Sequence, residues 1–597
     1  MSTTRDTDEI LDYAVVGGGI SGLYAGWRLL TGAPNGGAPA KRIVVFETSG
    51  RTGGRLMTWY PFPDNTELHG ELGGMRFFEG QGLVWGLITE HFGNAGKLKK
   101  PIKFYVTDPN GNNLWYLRER ILHAADFNDP KRVPYRQDAD ARYAGPFGII
   151  GNVIASVLAE NRREIAGVLG GRTQPQDWED WDKIKPLLRY RGRKLWNIGF
   201  WNLLYDLLSP ESYAYVTAAF GYSSVTNNWN AAEAMQSVFI DFTTNPDYQT
   251  LREGYGYLPY LVRGEFENAG GEVRRHHTVT DVLKEGDHFA LSVAAKSGGT
   301  TTHSTVRARR VILAMPRRSL ELLRPNRFWD LDRPVGTSTL RHYVESVIPY
   351  PAFKMFLAYD QAWWRNAPMS IGAGRSVSDL PIRQSYYFPP EPDPFPPTKV
   401  PQVKQALLMA SYDDYVSVPF WETLEAPEEY RAQADEGLRA TPAAYGEQKL
   451  SGIERYVSEV NDALADEPGF HLAPPEMVRY AQQQLRLVHY NQVQPDPIPF
   501  DDKTGKLQGY FLAAYQNWGH DPYGGGWNFW APAVDVRDVM ETMRQPFAGE
   551  ELYVIGEAYS GSQGWVEGAL TTTERTLQDK IGLAPPPWQP KGYYMGY

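Results

Sequence analysis

A glycine-rich turn near the start of the chain constrains the fold most strongly. Residues 17–22 read Gly-Gly-Gly-Ile-Ser-Gly, directly after the apolar run 13–16 and before apolar residues at helical spacing over 23–30. In such a strand–turn–helix unit the first glycine permits the tight turn, the second lets the backbone approach a pyrophosphate, and the third allows close helix–strand packing. The positive end of the helix dipole then faces the phosphates. The residues expected to contact a dinucleotide are Gly17, Gly19, Ile20, Ser21 and Gly22.

An acidic residue in the next strand strengthens this prediction. The apolar run 43–46 predicts a second strand, and Glu47 ends it, 25 residues after Gly22. A carboxylate at that position can accept hydrogen bonds from a ribose. Residues 31–40 form an enlarged loop between the helix and this strand. Residues 11–47 therefore predict the start of a βαβ dinucleotide-binding unit.

Composition excludes several classes of function. The 597 residues include no cysteine, which rules out disulfides, thiolate metal sites and a cysteine nucleophile. The formal net charge is −10 and no basic stripe stands out, so a nucleic-acid partner is not expected. There is no metal-ligand cluster, nucleophile elbow or phosphate-binding P-loop. Residues 1–10 do not resemble a secretory signal and no apolar stretch could span a membrane, so we expect a soluble, cytoplasmic protein.

The rest of the chain alternates between strand-rich and helix-rich parts. Apolar spacing predicts helices over 145–240, whereas 352–360 and 405–412 are typical of strands in a second sheet. A last strand over 552–555 leads into a glycine turn and a helix over about 565–577. The sequence between the two second-sheet strands has seven prolines in residues 389–401, which predicts a stiff surface loop.

Two separated motifs resemble the FAD-dependent amine oxidase superfamily. The first is Glu47 followed by Arg51-Thr52-Gly53-Gly54-Arg55, in which the resemblance places Arg55 against the flavin phosphates. The second joins 552–557 to 564–569, where it brings Glu557 to the ribityl and phosphate region. There, the start of a helix at Trp565 and Val566 faces the pyrimidine end of the flavin. Helix N–H groups at that place stabilise negative charge on a reduced flavin.

The resemblance implies an α/β fold with three parts. A discontinuous Rossmann-like FAD-binding domain would comprise residues 10–75, 251–335 and 511–584. A substrate-binding domain built on a mixed sheet would comprise 76–125 and 336–510, with a helical insertion over 126–250. Residues 585–597 would form an irregular C-terminal strap. The resemblance also places the backbone of Val279 against the adenine, although a plain core valine is nearly as good a reading.

Three features resemble the L-amino-acid oxidase branch of that superfamily. Residues 71–76 include Gly73, Gly74, Met75 and Arg76, and the resemblance pairs Arg76 with the α-carboxylate of the substrate. A planar guanidinium matches a carboxylate with two hydrogen bonds, although an arginine that only holds FAD or a loop is the alternative. Gly564 and Trp565 resemble the place where a backbone carbonyl accepts from the substrate amine while the indole walls the pocket. Tyr412 resembles a second, phenolic contact to the carboxylate, with a buried strand tyrosine as the equal alternative.

Lys354 is the one residue for which a catalytic role is expected. It lies among apolar neighbours in the predicted strand 352–360 and matches the superfamily lysine that holds a water beside the reactive nitrogen of the flavin. The alternative is a solvated edge lysine. Some members have a histidine, proposed as a base, in a segment that matches 234–245 here, where Asp241 is the only ionisable residue. No catalytic base is therefore assigned.

The implied reaction is oxidation of an L-α-amino acid to the 2-oxo acid and ammonia, with O₂ reduced to H₂O₂. The cofactor is FAD held non-covalently, since a cysteinyl link is impossible. The aromatic run 527–530 and the acids Asp521 and Glu567 are candidate pocket residues, which slightly favours a cationic substrate such as arginine or lysine. A decarboxylating amino acid 2-monooxygenase, an amine or polyamine oxidase, and a scaffold with structural FAD remain open. We further expect a homodimer or larger homo-oligomer, without metal, membrane or nucleic-acid partners.

Overall fold

The computed structural model describes most of the chain. The described residues are 10–62, 65–136, 145–243, 246–366, 369–388, 405–425, 452–464, 467–490, 500–501, 506–507 and 510–597. The predicted proline-rich loop at 389–401 lies outside them.

The first sheet has seven strands drawn from distant parts of the chain. Five pair in parallel, in the spatial order Glu272–Arg274, Ile43–Phe46, Leu11–Val16, Thr300–Leu313 and Leu552–Val554. The long strand Thr300–Leu313 also pairs antiparallel with His288–Ser297, which in turn pairs antiparallel with His277–Glu285. Three of the parallel strands, Leu11–Val16, Ile43–Phe46 and Leu552–Val554, consist mainly of buried apolar residues, as expected for a sheet covered on both faces. Strand Leu11–Val16 pairs in parallel with Ile43–Phe46, which follows it in sequence, and with Thr300–Leu313, which comes much later. In open α/β sheets ligands bind at the carboxyl end of a strand where the strand order reverses in this way.

Helices cover the first sheet. Ile20–Thr31 packs against Tyr257–Asn268 and against Val566–Arg575, which begins close to the end of the chain. The buried pair Arg28–Glu574 joins the first of these helices to the last at 2.7 Å. Helix Val536–Arg544 packs beside strand Leu552–Val554, and its N-cap Asp535 accepts from the N–H of Asp538. Segments from both ends of the chain therefore form one layer.

The second sheet is mixed and has eight strands. Their order is Phe470–Leu472, Tyr510–Asn517, Ala352–Tyr359, Ala406–Asp414, Gln384–Tyr387, Arg375–Ser378, Trp115–Leu117 and Arg120–Leu122. All pair antiparallel except Arg375–Ser378 with Trp115–Leu117. The two central strands, Ala352–Tyr359 and Ala406–Asp414, are buried throughout. Helices Val418–Glu422, Gly452–Leu464 and Pro475–Tyr490 belong to the same part of the chain.

A helical segment lies between the strands of the two sheets in sequence. Its helices are Gly145–Glu160, Arg162–Val168, Trp178–Ile184, Phe200–Leu207, Pro210–Phe220 and Ala231–Val238. The last continues into a π-helical turn, Phe239–Thr243. Short helices elsewhere are Gly82–Gly86, which continues into the π-helical Leu87–Gly93, Arg317–Glu321 and Leu340–Val344. Another π-helical turn, Thr576–Ile581, extends helix Val566–Arg575.

Two-stranded pairs complete the regular structure. They are Thr58–Trp59 with Gly70–Glu71, Ile102–Lys103 with Gln249–Thr250, Arg189–Tyr190 with Arg193–Lys194, Pro334–Val335 with Ser338–Thr339, Val347–Tyr350 with Trp527–Trp530, and Phe500–Asp501 with Lys506–Leu507. Residues 585–597 contain no helix or strand. Their side chains reach back to distant segments: the Trp588 ring stacks on Trp27, and the Tyr594 hydroxyl donates to Asp182.

The expected α/β fold, with a discontinuous first domain, a mixed second sheet and a helical segment, is confirmed. The predicted strands at 13–16 and 43–46 are observed as Leu11–Val16 and Ile43–Phe46. The domain boundaries given above stay a prediction. Among the described residues, no helix is long and apolar enough to cross a membrane.

The packing of the first helix on its strand gives a stability prediction. A Cβ placed on Gly22 would lie 2.0 Å from the carbonyl oxygen of Gly17, so alanine cannot fit unless the backbone moves. We expect Gly22→Ala to lower the free energy of unfolding by about 2 kcal/mol or more, measured by urea denaturation. The matched control is Gly264→Ala in helix Tyr257–Asn268, where a Cβ meets nothing within 4 Å. That variant should gain up to about 1 kcal/mol from helix propensity. Equal stability of the two variants would contradict the prediction.

Candidate active site

A deep cleft opens at the carboxyl ends of the parallel strands and runs between the two sheets. It holds about 1620 Å³ of space not filled by protein atoms, with the open solvent at its mouth included. Most of the residues predicted from the motifs line it, and these are Gly17, Gly19, Ile20, Ser21, Glu47, Arg55, Gly73, Gly74, Val279, Lys354, Tyr412, Glu557, Gly564, Trp565 and Val566. Of the remaining predicted residues, Gly22 packs inside the helix–strand junction, whereas Met75 and Arg76 follow the lining residues Gly73 and Gly74 without lining the cleft themselves.

The glycines of the first turn divide into two kinds. Gly17 has φ +108° and a Cβ there would lie 2.4 Å from the carbonyl oxygen of Ala314, so the fold itself requires glycine. A Cβ on Gly19 would instead meet no protein atom closer than the Cα of Gly54 at 3.8 Å. The protein therefore does not need glycine at Gly19, and the missing side chain leaves room on the cleft side. This is the space a pyrophosphate would fill at a helix N-terminus.

Glu47 closes the turn from the next strand. Its carboxylate accepts from the backbone N–H of Gly18 and of Ser49, both at 2.8 Å. Burial raises the pKa of Glu47, and these N–H groups oppose the rise by stabilising the charged form. Two donors do not saturate a carboxylate, which can accept about four hydrogen bonds. Glu47 is thus fixed in place with acceptor capacity left for ribose hydroxyls.

Arg55 and Glu557 join the N-terminal and C-terminal motifs. The Arg55 guanidinium donates to the Glu557 carboxylate at 2.8 Å and to the carbonyl oxygen of Gly526 at 3.1 Å. Glu557 also accepts from the backbone N–H of Asn528 at 3.0 Å and of Gly564 at 2.7 Å. The other arginine of the motif, Arg51, lies buried in an ion pair with Glu467 at 2.7 Å. Of the two arginines of the motif, only Arg55 faces the cleft.

The helix after the closing motif points its N-terminus at the cleft. Helix Val566–Arg575 begins after Trp565, and no side chain caps it. Gly564 has φ +82° and a Cβ there would meet only the Cβ of Trp527 at 3.8 Å. The free N–H groups of this first turn are suited to a ligand atom that carries negative charge. At the other end of the cleft, Val279 lines the wall and its side chain is also packed in the core. A core position for this valine is therefore compatible with a contact between its backbone and the adenine.

Lys354 lies at the wall that the second sheet contributes. Its ammonium donates to the carbonyl oxygens of Glu71 at 3.1 Å and Gly73 at 2.5 Å, and it lies 4.5 Å from the centre of the Tyr412 ring. Burial lowers the pKa of Lys354 to about 7; the negative charge of Glu71 opposes this, and Arg76 adds to it. The solvated edge position considered as the alternative is wrong, because the side chain is buried at the cleft.

Arg76 stands in a ring-lined space beside the cleft. Its guanidinium carbon lies 4.6 Å from the ring centre of Tyr248, 5.7 Å from Phe104 and 5.8 Å from Trp565. Its Nε has no hydrogen-bond partner among the described residues, and no described carboxylate lies within ion-pairing distance. A cation surrounded by rings and left without an anion is suited to bind one from a ligand.

Tyrosines surround Arg76 in a way that no motif predicted. The Tyr386 hydroxyl accepts from Arg76 at 3.5 Å and from Arg375 at 3.4 Å, and it lies 3.3 Å from the hydroxyl of Tyr222. Burial acts to raise the pKa of Tyr386, but Arg375 and Arg76 outweigh it and the pKa is lowered. Tyr386 is therefore a phenol whose hydroxyl hydrogen-bonds to the arginine, whereas the predicted Tyr412 has its ring beside Lys354. The contact of Tyr412 with a carboxylate stays a prediction.

Asp241 borders the same space, since the Tyr248 hydroxyl donates to its backbone carbonyl oxygen at 3.2 Å. It lies in the π-helical turn Phe239–Thr243, and its Oδ1 is buried without a hydrogen-bond partner among the described residues. Burial raises the pKa of Asp241 to about 7, and Arg76, Trp565 and Ser237 all oppose the rise. The sequence marked Asp241 only as the one ionisable residue of its segment. Its neighbours could not be identified from spacing, since they come from three separate parts of the chain.

Both acids expected in the substrate pocket are elsewhere, and that expectation is wrong. The Glu567 carboxylate accepts from the backbone N–H groups of Leu83 and Val84 at 3.0 and 2.9 Å and from the Tyr593 hydroxyl at 2.7 Å. It caps a short helix rather than facing the cleft, and burial raises its pKa to about 6. Asp521 is more than half exposed and pairs with Arg318 at 2.6 Å.

The aromatic run 527–530 contributes less to the cleft than expected. Trp527 lines it. Asn528 donates to Glu557, Phe529 stacks on Trp229 at 4.0 Å between ring centres, and Trp530 donates to the backbone of Ser560. A strand turns alternate side chains to opposite faces, so a run of four cannot all reach one pocket.

The residues present fit a flavin dinucleotide. The cleft offers a glycine cradle with unfilled space, a carboxylate for a ribose, an arginine near the phosphate region, and an uncapped helix N-terminus at the far end. No group of three or more acidic or histidine side chains that could hold a metal occurs in the described part of the chain.

Comparisons with known proteins agree with this geometry. Aplysianin-A from Aplysia kurodai is 26% identical, over 97% of this chain and 92% of its own length. Achacin from Lissachatina fulica is 22% identical, over 95% of this chain and 92% of its own. A solved structure of putrescine oxidase bound to putrescine superimposes with a TM-score of 0.59 at 15% identity, covering 96% of this chain and 99% of the other. That likeness shows the fold.

A family model assigns the chain directly. The model described as flavin containing amine oxidoreductase matches residues 20–454, more than half of the sequence. The match includes the first helix, the helical segment and both central strands of the second sheet. The protein therefore belongs to the flavin-containing amine oxidoreductases and is a flavoenzyme of that family.

Proposed function

We propose that this protein is an oxidase of L-α-amino acids that holds FAD non-covalently and produces a 2-oxo acid, ammonia and H₂O₂. The observation that carries the proposal is Arg76, a partly buried guanidinium with no acidic partner in the described structure. An amine without a carboxylate gives such a residue nothing to bind. An α-amino acid supplies the anion that two parallel N–H donors of the guanidinium match.

The surroundings of Arg76 make it a selective carboxylate site. The rings of Tyr248, Phe104 and Trp565 exclude water, which strengthens the attraction between the guanidinium and a bound anion. The Tyr386 hydroxyl, held by Arg375, is a second polar group within reach of the same carboxylate. The bound carboxylate fixes the orientation of the substrate's Cα relative to the cleft.

The reaction needs little acid–base chemistry from the chain. When bound, FAD supplies the acceptor for the hydride from Cα and returns the electrons to O₂. Lys354 keeps a positive or hydrogen-bonding group at the cleft wall, and its third N–H lies 3.7 Å from the sulfur of Met75, a weak acceptor that a water can replace. An amine that enters neutral requires no base.

Anaerobic mixing tests the proposal. The purified protein is mixed with each of the twenty L-amino acids and with putrescine while the flavin absorbance is followed, and H₂O₂ is measured in air. We expect bleaching by at least one L-amino acid and one H₂O₂ for each 2-oxo acid formed. Bleaching by putrescine alone would assign an amine oxidase, and an amide product would assign a decarboxylating monooxygenase. No bleaching by any compound would leave the flavin a structural role.

A further prediction concerns the attachment of the cofactor. The chain contains no cysteine, so it cannot form a cysteinyl–flavin bond. Acid or heat precipitation should therefore leave all of the yellow FAD in the supernatant, where its absorbance is measured. Colour that stays with the precipitate would show a histidyl or tyrosyl link and contradict non-covalent binding.

A further inference from the structure

Asp241 and Arg76 place opposite charges in one aromatic space. The Tyr248 ring lies 4.6 Å from the guanidinium carbon of Arg76, and its hydroxyl donates to the backbone carbonyl oxygen of Asp241 at 3.2 Å, so both residues border one space. The described structure shows no ion pair between them. The Asp241 oxygen Oδ1 is buried and accepts no hydrogen bond from the described residues, and Nε of Arg76 is likewise unsatisfied among them. Each of the two groups therefore has capacity for a partner that the other does not supply. A ligand with an anion and a cation of its own would satisfy both.

The backbone around Asp241 is itself unusual. Helix Ala231–Val238 changes to a π-helical turn over Phe239–Thr243, and Asp241 lies in the middle of that turn. Such turns are rare and occur often at functional sites, because they redirect a side chain that an α-helix would aim elsewhere. In this protein the redirected side chain is the carboxylate that faces Trp565.

We propose that Asp241 determines specificity by binding a cationic group at the end of the substrate side chain, so that the preferred substrates are basic L-amino acids of the lysine, ornithine and arginine type. This inference rests on the proposed function, since it takes the α-carboxylate to be bound by Arg76. Asp521 and Glu567, the acids that the sequence suggested for this purpose, are engaged elsewhere.

The balance of charge favours this substrate class. Arg76 and Asp241 together are neutral, and an amino acid whose α-amine is neutral adds the single negative charge of its carboxylate. Once that carboxylate binds Arg76, it neutralises the charge of Arg76, which then no longer stabilises the charged form of Asp241. A positively charged side chain restores neutrality in a buried space, where unpaired charge is costly. The other cation at the cleft, Lys354, already donates to the carbonyl oxygens of Glu71 and Gly73.

The α-amino group is a poorer partner for Asp241. A hydride can leave Cα only when the α-amine is neutral, and an adjacent carboxylate would instead keep that amine charged. The geometry also separates the two. The main chain of Trp565 leads into helix Val566–Arg575 at the cleft, whereas its indole stacks on Tyr248, whose hydroxyl donates to the backbone carbonyl oxygen of Asp241. Asp241 therefore lies at the ring end of the pocket, with Tyr248 and Trp565 stacked 6.0 Å apart beside it.

The first test uses L-lysine and L-norleucine, which have the same chain length and differ by the terminal ammonium. We expect the holoenzyme to favour lysine at least tenfold in kcat/KM. The lysine-to-norleucine ratio should fall about 10- to 100-fold in Asp241→Asn, the range for loss of a buried hydrogen bond to a charged group. Asp247→Asn is the matched control. This acid lies in the following segment, is two-thirds exposed and pairs with Lys103, so the ratio should not change.

The second test measures binding without turnover. Hexanoate and 6-aminohexanoate both offer Arg76 a carboxylate, and only the second carries a terminal ammonium. Calorimetric titration should show tighter binding of 6-aminohexanoate to the wild-type holoenzyme, and equal binding of the two to Asp241→Asn. FAD absorbance confirms that the variant is folded and loaded.

Two results would overturn the inference. One is a wild-type preference for norleucine over lysine, and the other is an equal loss of activity on both substrates in Asp241→Asn, with the binding preference intact. Failure of the proposed function gives a different result, since no L-amino acid would then bleach the flavin in the wild-type protein.

Discussion

Replacement of Arg76 by alanine should lower kcat/KM for the best L-amino acid substrate about 100-fold or more. The variant would leave the substrate carboxylate in a ring-lined space without its cation, and loss of one member of a desolvated charge pair costs about 2 to 5 kcal/mol. Arg76 is held by Tyr386 and by three rings, none of which can replace its charge. Steady-state kinetics with H₂O₂ detection measures the loss.

Two controls separate carboxylate binding from other roles of Arg76. Arg76→Lys keeps the charge but not the paired donors, so it should recover part of the activity. Pentylamine, which is norleucine without its carboxylate, should lose little reactivity in Arg76→Ala, because the missing group is the one that Arg76 binds. A variant that emerges without FAD would instead assign Arg76 to the cofactor and leave the carboxylate site unidentified.

Replacement of Lys354 by methionine should slow the reaction with O₂ about 100-fold while anaerobic bleaching by the substrate survives at a fraction of its rate. Negative charge develops as O₂ is reduced, and a buried positive group aimed at it lowers the barrier. Methionine fills a similar volume without charge or N–H donors. Stopped-flow measurement of the two half-reactions separates these effects.

The pH dependence gives a second measure of Lys354. Because burial lowers its pKa to about 7, the amine is mainly charged below pH 7 and mainly neutral above it. The wild-type rate constant with O₂ should therefore fall as pH rises through 7, whereas the methionine variant should be slow at every pH. Unchanged half-reactions in the variant would show that Lys354 only fills the interface between Ala352–Tyr359 and its neighbours.

Local sequence predicted the parts of the fold in which neighbours in sequence are also neighbours in space. The first turn is an example. Gly17 and Gly22 both lie where the first strand passes into the first helix, and neither position has room for a Cβ atom. Strand Ile43–Phe46 was recognisable because all four residues are apolar and buried in a parallel sheet. The family resemblance then indicated that both ends of the chain meet, which periodicity alone could not show.

The substrate side of the site could not be predicted in the same way. Arg76, Asp241 and Tyr386 lie in three parts of the chain that are more than 100 residues apart. Of the three, only Arg76 belongs to a recognisable motif. The error over Glu567 has the same origin. An acid at the start of a helix facing a cleft was a reasonable pocket candidate, but its partners are the backbone N–H groups of Leu83 and Val84, about 480 residues away. Long-range backbone donors leave no trace in a sequence pattern.

Strand Leu552–Val554, from near the end of the chain, is part of the first sheet, and this determines when the cofactor site can form during synthesis. The cradle at Gly17 and the acid Glu557 that completes it are more than 500 residues apart. At about 5 to 20 residues per second, a ribosome needs on the order of half a minute to two minutes to synthesise the intervening chain. The glycine turn therefore emerges long before the segment that encloses the other half of the ligand. Flavin capture becomes a late event in biogenesis, and it coincides with the docking of the last parallel strand. A shortage of FAD in the cell would accordingly accumulate full-length chains with an incompletely stabilised first sheet, rather than arrest synthesis part-way.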